Sequence, residues 1–280
     1  MMSLPQARRF DWSNLGVRVA SATVLVPAVL GAVWFADLPG LRWLFLVLIA
    51  VAVALLAIEW GAMTAPTAPV RVSTALTVAV LAAAFLAFQG HMILAWGAVA
   101  LGAAAAALVA RGGSERPTNA AFGVIYLAIP VVCIVWLRGM PEGRQWTVLL
   151  FAVAWAADIA AFAVGSALKG PKLWPRFSPN KTCSGFIGGL VAAAAAGAAM
   201  AAFSAIVLSI QAGALIGFVG GLATMGGDLW ESRLKRRFGV KDSGDLIPGH
   251  GGLLDRVDGL MFATVVLAGA RLINYWGWAH

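Results

Sequence analysis

From residue 16 onward the chain alternates between apolar runs of roughly 20 residues and short polar breaks. A run of that length crosses hydrocarbon as a helix, because lipid offers no partner to an unpaired backbone amide and the segment must satisfy its own hydrogen bonds. Nine such windows are predicted, near residues 16–36, 41–61, 72–90, 92–110, 119–138, 146–168, 186–210, 212–230 and 257–277. Composition agrees, with 61% hydrophobic and 11% charged residues, where a soluble domain carries about 25% charged. The expected fold class is all-α: a polytopic membrane bundle of nine transmembrane helices. It forms a single membrane-embedded domain over residues 1–280, with N-terminal helices in 1–145 and catalytic helices and loops in 146–280.

The first fifteen residues are polar and carry Arg8 and Arg9 ahead of the first window. A secretory signal begins in a similar way, but its apolar part is only about 7 to 15 residues long. Residues 16–36 exceed that and read as a retained helix. Cys133 and Cys183 lie in or beside predicted spans at no paired spacing, so neither a disulfide framework nor a zinc site is expected.

Basic residues give an independent check on the topology, since Lys and Arg of short loops stay on the cytoplasmic side. With nine spans, sixteen fall on one side: Arg8, Arg9, Arg18, Arg71, Arg111, Arg116, Lys169, Lys172, Arg176, Lys181, Arg233, Lys235, Arg236, Arg237, Lys241 and Arg256. The other side holds four, Arg42, Arg138, Arg144 and Arg271. The asymmetry predicts a cytoplasmic N-terminus. The net charge of +8 is met by anionic lipid head groups, so no nucleic-acid partner is expected. The run GGLVAAAAAGAAMAA, from Gly188 to Ala202, reads as close helix packing.

Two long loops then share the cytoplasmic face, 169–185 and 231–256. Half of the twelve acidic residues lie between Asp228 and Asp258. In GGDLWESRLKRR, Asp228, Glu231, Ser232 and Lys235 occupy one face of a helix. An acid directly after an apolar span is costly near lipid and marks a functional candidate. Asp255 and Asp258 start the last helix three residues apart, where dipole preference alone would accommodate either one. Together with Asp228 they suggest a hard divalent cation, held by one or two carboxylates and by substrate phosphate oxygens. Phosphate is further suited by Gly249, Gly251 and Gly252, which let backbone approach a ligand before a helix start. Lys235, Arg236, Lys241 and Arg256 can neutralise phosphate charge. His250 either donates to a phosphate or holds the loop.

The run Ser232, Leu234, Lys235, Arg236, Lys241, Asp242, Gly244, Ile247, Pro248, His250, Gly251, Gly252, Leu253, Asp255, Arg256, Val257 and Asp258 resembles the signature of the CDP-diacylglycerol synthases, or phosphatidate cytidylyltransferases. The likeness covers 27 residues without a gap. A second family feature, an Asp in the sixth span followed by Ser-Pro-Lys-Lys-Thr-x-Glu-Gly, corresponds to Asp158 and SPNKTCSG from Ser178. Asn180 stands where a Lys is usual and Ser184 where a Glu is usual, whereas Ser178, Pro179, Lys181, Thr182 and Gly185 are retained.

The resemblance implies transfer of a cytidylyl group from CTP to phosphatidate, giving CDP-diacylglycerol and pyrophosphate. It implies Mg2+ on Asp228 and Asp255, with Asp258 as a further ligand or support, and leaves a second cation open. Catalytic roles fall to Asp228, Asp255, Lys235 and His250. Substrate contacts fall to Ser178, Lys181, Ser232, Arg236, Lys241, Gly251, Gly252 and Arg256. The expected partners are CTP, phosphatidate and membrane lipids, and a homodimer is left open. The expected location is the inner (plasma) membrane, with the active site facing the cytoplasm. A transporter is the first rival, because Asp158 and Glu59 lie inside spans; it would spread polar residues along a mid-membrane path. A CDP-alcohol phosphotransferase is the second, but DGLMFATVV from Asp258 lacks the Ala-Arg and later aspartates of that motif. A non-catalytic scaffold leaves the gathered acids unexplained.

Overall fold

The computed structural model describes residues 12–111, 116–175, 178–246 and 251–277. Arg8, Arg9, Arg176 and the 247–250 segment with His250 lie outside the described residues. Within them the chain forms nine helices: α1 Trp12–Phe35, α2 Trp43–Thr64, α3 Pro69–Phe88, α4 Met92–Ala110, α5 Pro117–Gly139, α6 Gly143–Leu168, α7 Cys183–Phe203, α8 Ile210–Arg237 and α9 Leu254–Gly277. Eight of these, α2 to α9, are long and apolar enough to cross a membrane; the described apolar part of α1, Val26–Phe35, is shorter. The protein is an integral membrane helical bundle. Both cysteines are free.

Local chemistry explains where the helices start. Pro69 and Pro117 occupy first-turn positions, where a missing N–H removes nothing. Thr182 Oγ1 accepts from Gly185 N at 3.1 Å and Ser209 Oγ accepts from Ala212 N at 3.1 Å, capping α7 and α8. The break between α7 and α8 falls at residues 204–209, earlier than the predicted seventh span allows. It contains the apolar stretch 205–208, where hydropathy cannot register a turn; the caps by Ser204 on Met200 O and by Ser209 supply the signal. The predicted 169–185 loop is partly ordered as an antiparallel hairpin, β1 Lys172–Trp174 against β2 Ser178–Thr182, with Lys172 opposite Thr182 and Trp174 opposite Ser178.

The small-residue run on α7 packs as expected. A methyl on Gly197 would stand 2.1 Å from Gly213 O, and one on Gly217 2.3 Å from Ala193 O, so α7 and α8 meet backbone to backbone. At 28 residues α8 is about 42 Å long, more than the roughly 30 Å of hydrocarbon a spanning helix must cross, so its length leaves room for the charged last turns outside that thickness.

Contacts sort the helix ends onto two faces. On one, Arg138 pairs with Asp37, Arg144 Nη1 lies 3.3 Å from Asp37 Oδ2, and Arg271 donates to Pro141 O at 2.7 Å and sits 3.7 Å from Glu142. The guanidinium of Arg42 lies 4.7 Å from the Phe88 ring centroid. All four arginines that the charge asymmetry left on the sparse side thus have a structural partner. The opposite face gathers the end of α2, the start of α5, the hairpin, the end of α8 and the start of α9, and it carries the candidate site. On this face Trp60 of α2 joins the start of α5 to the end of α8. The indole is fully buried in a slot that exists because residue 123 is glycine, donates to Asn119 O at 3.2 Å, and meets the Phe238 ring edge-on at 6.0 Å.

Candidate active site

α8 and α9 cross on glycine. A methyl on Gly227 would stand 2.7 Å from Asp258 O and 3.1 Å from Gly259 Cα, and one on Gly259 would stand 2.7 Å from Thr224 Cγ2. This approach brings Asp228, beside Gly227, toward Asp258, beside Gly259, with Asp255 one turn earlier. A single cavity of about 910 Å3 is lined by Asp158 of α6, Asp228, Asp255 and Asp258, together with Lys169, Lys172, Lys181 and Arg256. Phe162, Leu173, Phe186 and Met225 give the same cavity an apolar wall. Charged and apolar surfaces within one cavity suit an amphiphile.

Lysines balance the carboxylates. Lys181, delivered by β2, pairs with Asp228. Lys235 Nζ lies 2.6 Å from Asp255 Oδ1 and 3.2 Å from Glu231 Oε2, and Ser243 N donates to Asp255 Oδ2 at 3.2 Å. Exposure separates the two pairs: Asp228 is 38% exposed, whereas Asp255 and Lys235 are each at 13% and Glu231 at 1%. Asp258 Oδ1 accepts from Gly259 N at 2.7 Å.

The model of the Cytidylyltransferase family matches residues 16–273. The chain belongs to this family. Among its relatives, a phosphatidate cytidylyltransferase of Brucella suis biovar 1 (strain 1330) is 48% identical over 168 residues, 57% of this chain and 59% of the relative. One from Staphylococcus saprophyticus is 37% identical over 150 residues, 53% of this chain and 58% of the relative. One from Staphylococcus aureus (strain COL) is 43% identical over 128 residues, 45% of this chain and 48% of the relative. The chain therefore spans about half to three fifths of the length of these curated relatives.

Of the residues predicted from sequence, the cavity of this cytidylyltransferase-family chain unites Asp228, Asp255, Asp258, Lys181 and Arg256. Lys235 reaches it through Asp255. The other described ones lie apart from the lining, and His250 is outside the described residues. Ser178 sits in β2 opposite Trp174, Ser232 is half-buried on α8, and Lys241 is exposed in the α8–α9 loop. Arg236 Nη1 donates to Val240 O at 3.2 Å, closing the turn after α8. Gly251 adopts φ +79°, and a methyl on Gly252 would fall 2.0 Å from Ser243 Oγ, so the close approach at Gly252 is to its own loop. At the departures from the family pattern, Asn180 lines the cavity, while Ser184 donates to Lys169 O and lies 3.1 Å from Thr182 Oγ1, tying the hairpin to α6 and α7.

The amides at the start of α9 are already taken: Leu253 N donates to Glu59 Oε1 at 2.6 Å and Leu254 N to Glu59 Oε2 at 2.7 Å. The anion at this helix N-terminus is the chain's own carboxylate, brought from α2. Glu59 belongs to the neighbourhood of the site, which loop motifs do not reveal; the available signal is a lone acid inside an apolar span.

The carboxylates of Asp228, Asp255 and Asp258 in the cavity lining are hard oxygen donors, the chemistry a divalent cation takes together with phosphate oxygens. Oxygens of Asp228 and Asp255 already face lysine ammonium groups, and among the described residues no three acids, histidines or cysteines are grouped as a metal cluster.

Proposed function

We propose that this chain transfers a cytidylyl group from CTP to phosphatidate, with release of pyrophosphate. The observation that carries the reading is the cavity itself, where four carboxylates and four cationic side chains share a wall with Phe162, Leu173, Phe186 and Met225. Membership of the Cytidylyltransferase family and relatives named phosphatidate cytidylyltransferase support the choice of substrates.

Phosphatidate is a phosphomonoester whose second pKa is about 6, so its oxygen is already a nucleophile at neutral pH. It forms a bond to the α-phosphorus of CTP, the bond from that phosphorus to the bridging oxygen breaks, and pyrophosphate carries away the electron pair. The obstacle is the mutual repulsion of two polyanions. Lys181 and Arg256 at the cavity wall, and Lys235 behind Asp255, hold the phosphates and offset that repulsion. Asp228 and Asp255, with Asp258 beside them, would hold Mg2+, which supplies charge neutralisation and alignment of the phosphates when bound. The apolar wall receives the glycerol end of the lipid and the beginning of its acyl chains.

The basic face carrying this cavity is assigned to the cytoplasmic side of the inner membrane, where CTP is available, and the N-terminus to the same side. The test is a turnover assay on purified, folded protein in detergent with CTP, phosphatidate and Mg2+. CDP-diacylglycerol and pyrophosphate should appear in equal amounts and only with both substrates. Folded protein that forms neither product overturns the proposal, and transport of a solute without pyrophosphate release would favour the rival reading.

A further inference from the structure

Glu59 lies near the C-terminal end of α2, far in sequence from the catalytic loop, and is 1% exposed. A carboxylate at that depth is unfavourable unless its oxygens are satisfied. Three donors satisfy it: Leu253 N at 2.6 Å, Leu254 N at 2.7 Å and Ser243 Oγ at 3.1 Å. Two of these are the first amides of α9, where the helix dipole favours a negative charge. The loop closes on Glu59 through a slot without room for side chains. A methyl on Gly244 would lie 3.3 Å from Glu59 Cγ, and one on Gly252 would lie 2.0 Å from Ser243 Oγ.

Both arms of this arrangement end at one residue. Leu254 immediately precedes Asp255, so fixing its amide fixes the start of the turn that presents the aspartate. Ser243, held through its hydroxyl by Glu59, donates its backbone N–H to Asp255 Oδ2 at 3.2 Å. The other Asp255 oxygen faces Lys235.

We infer that Glu59 is a positioning residue of the active site: it sets the orientation of Asp255 by anchoring the α9 N-terminus and Ser243 together. The inference rests on the cytidylyltransferase reading for its kinetic consequence, but not for its structural one. Glu59 touches no substrate, so its removal should act on turnover more than on substrate binding. Partners that orient a ligand contribute about 10- to 100-fold when lost.

The test compares the intact chain with Glu59→Gln, Ser243→Ala and the double variant in detergent. Glu59→Gln keeps the shape but loses the charge and one acceptor. Its kcat should fall about 10- to 100-fold with KM for CTP and phosphatidate changed less than about threefold. Ser243→Ala should lower kcat less, and the double variant should be no slower than Glu59→Gln, because both act through one linkage. Hydrogen exchange in the peptide spanning residues 251–258 should accelerate in Glu59→Gln. Unchanged kcat per folded molecule, or additive losses in the double variant, overturns the inference, as does unaltered exchange. Should Glu59→Gln not fold, Ser243→Ala decides alone: wild-type kcat refutes. If the wild-type chain makes no CDP-diacylglycerol, the functional reading fails while the exchange comparison still tests the anchor.

Discussion

Removing the Lys235 ammonium is the perturbation whose consequences separate most clearly. Its Nζ lies 2.6 Å from Asp255 and 3.2 Å from Glu231. At an effective dielectric of about 20 these attractions amount to about 6 and 5 kcal/mol before desolvation is subtracted. Lys235→Ala leaves the two acids unequal. Asp255, at 13% exposure, keeps the Ser243 amide and some water, whereas Glu231, at 1%, loses its cation in a buried site. Breaking a buried pair by removing one partner costs about 3–5 kcal/mol; the solvent left to Asp255 favours the lower end. At about 2–4 °C per kcal/mol, the thermal midpoint in detergent should fall by about 6–12 °C. Adding Glu231→Gln removes the stranded charge and should restore most of that midpoint, yet kcat should stay at least about 100-fold below wild type, since the phosphate cation is still missing. Differential scanning fluorimetry and CDP-diacylglycerol formation read the two effects separately. A Lys235→Ala protein with wild-type midpoint refutes the electrostatic account of the pair; recovered turnover in the double variant refutes a chemical role for Lys235.

Asp228→Asn should insert and fold normally, and Asp255→Asn should fold with a lowered thermal midpoint because it breaks the part-buried pair with Lys235; each should lose about 100-fold or more in turnover per folded molecule, measured at saturating Mg2+, and full activity in either removes that residue from the proposed cation site. Gly227→Ala should destabilise by about 1–3 kcal/mol and reduce turnover, because its methyl meets the α9 backbone, whereas Gly226→Ala, whose methyl meets no described atom within 4 Å, should leave both unchanged. Lys181→Ala, which breaks a pair exposed at 27% and 38%, should shift stability by less than about 1 kcal/mol while raising KM for CTP about tenfold; an unchanged KM excludes Lys181 from nucleotide binding.

Much of this architecture is written in hydropathy and charge. Apolar length alone locates α2 to α6 within a few residues, since each break carries Gly, Pro or charge, as at Ala65–Ala68 and Met140–Glu142. It fails between α7 and α8, where Ala205–Leu208 is as apolar as the helices it separates and the turn is specified by Ser204 and Ser209. The β1–β2 hairpin escapes for a different reason: six of its eight strand residues are polar, proline or charged, and its pairing is fixed by what α6 and α7 hold on either side.

The site shows the same division between what spacing reveals and what only packing can supply. Asp228, Asp255 and Asp258 are legible because helical periodicity and the α8–α9 loop place them on neighbouring turns. Their pairing with Lys181 and Lys235 is not, because it depends on how deep β2 and the last turns of α8 sit against the cavity. Glu59 is the extreme case. Read along α2 it is an acid stranded among apolar residues, which suggests an ion path; read across the bundle it is the counter-charge to the start of α9. A helix that begins against a fixed carboxylate has its first turn set before any substrate arrives. Asp255 in that turn then has one orientation, held by Ser243 on one oxygen and Lys235 on the other. A sequence records which residues are acidic but not which helix brings one within 3 Å of another's N-terminus.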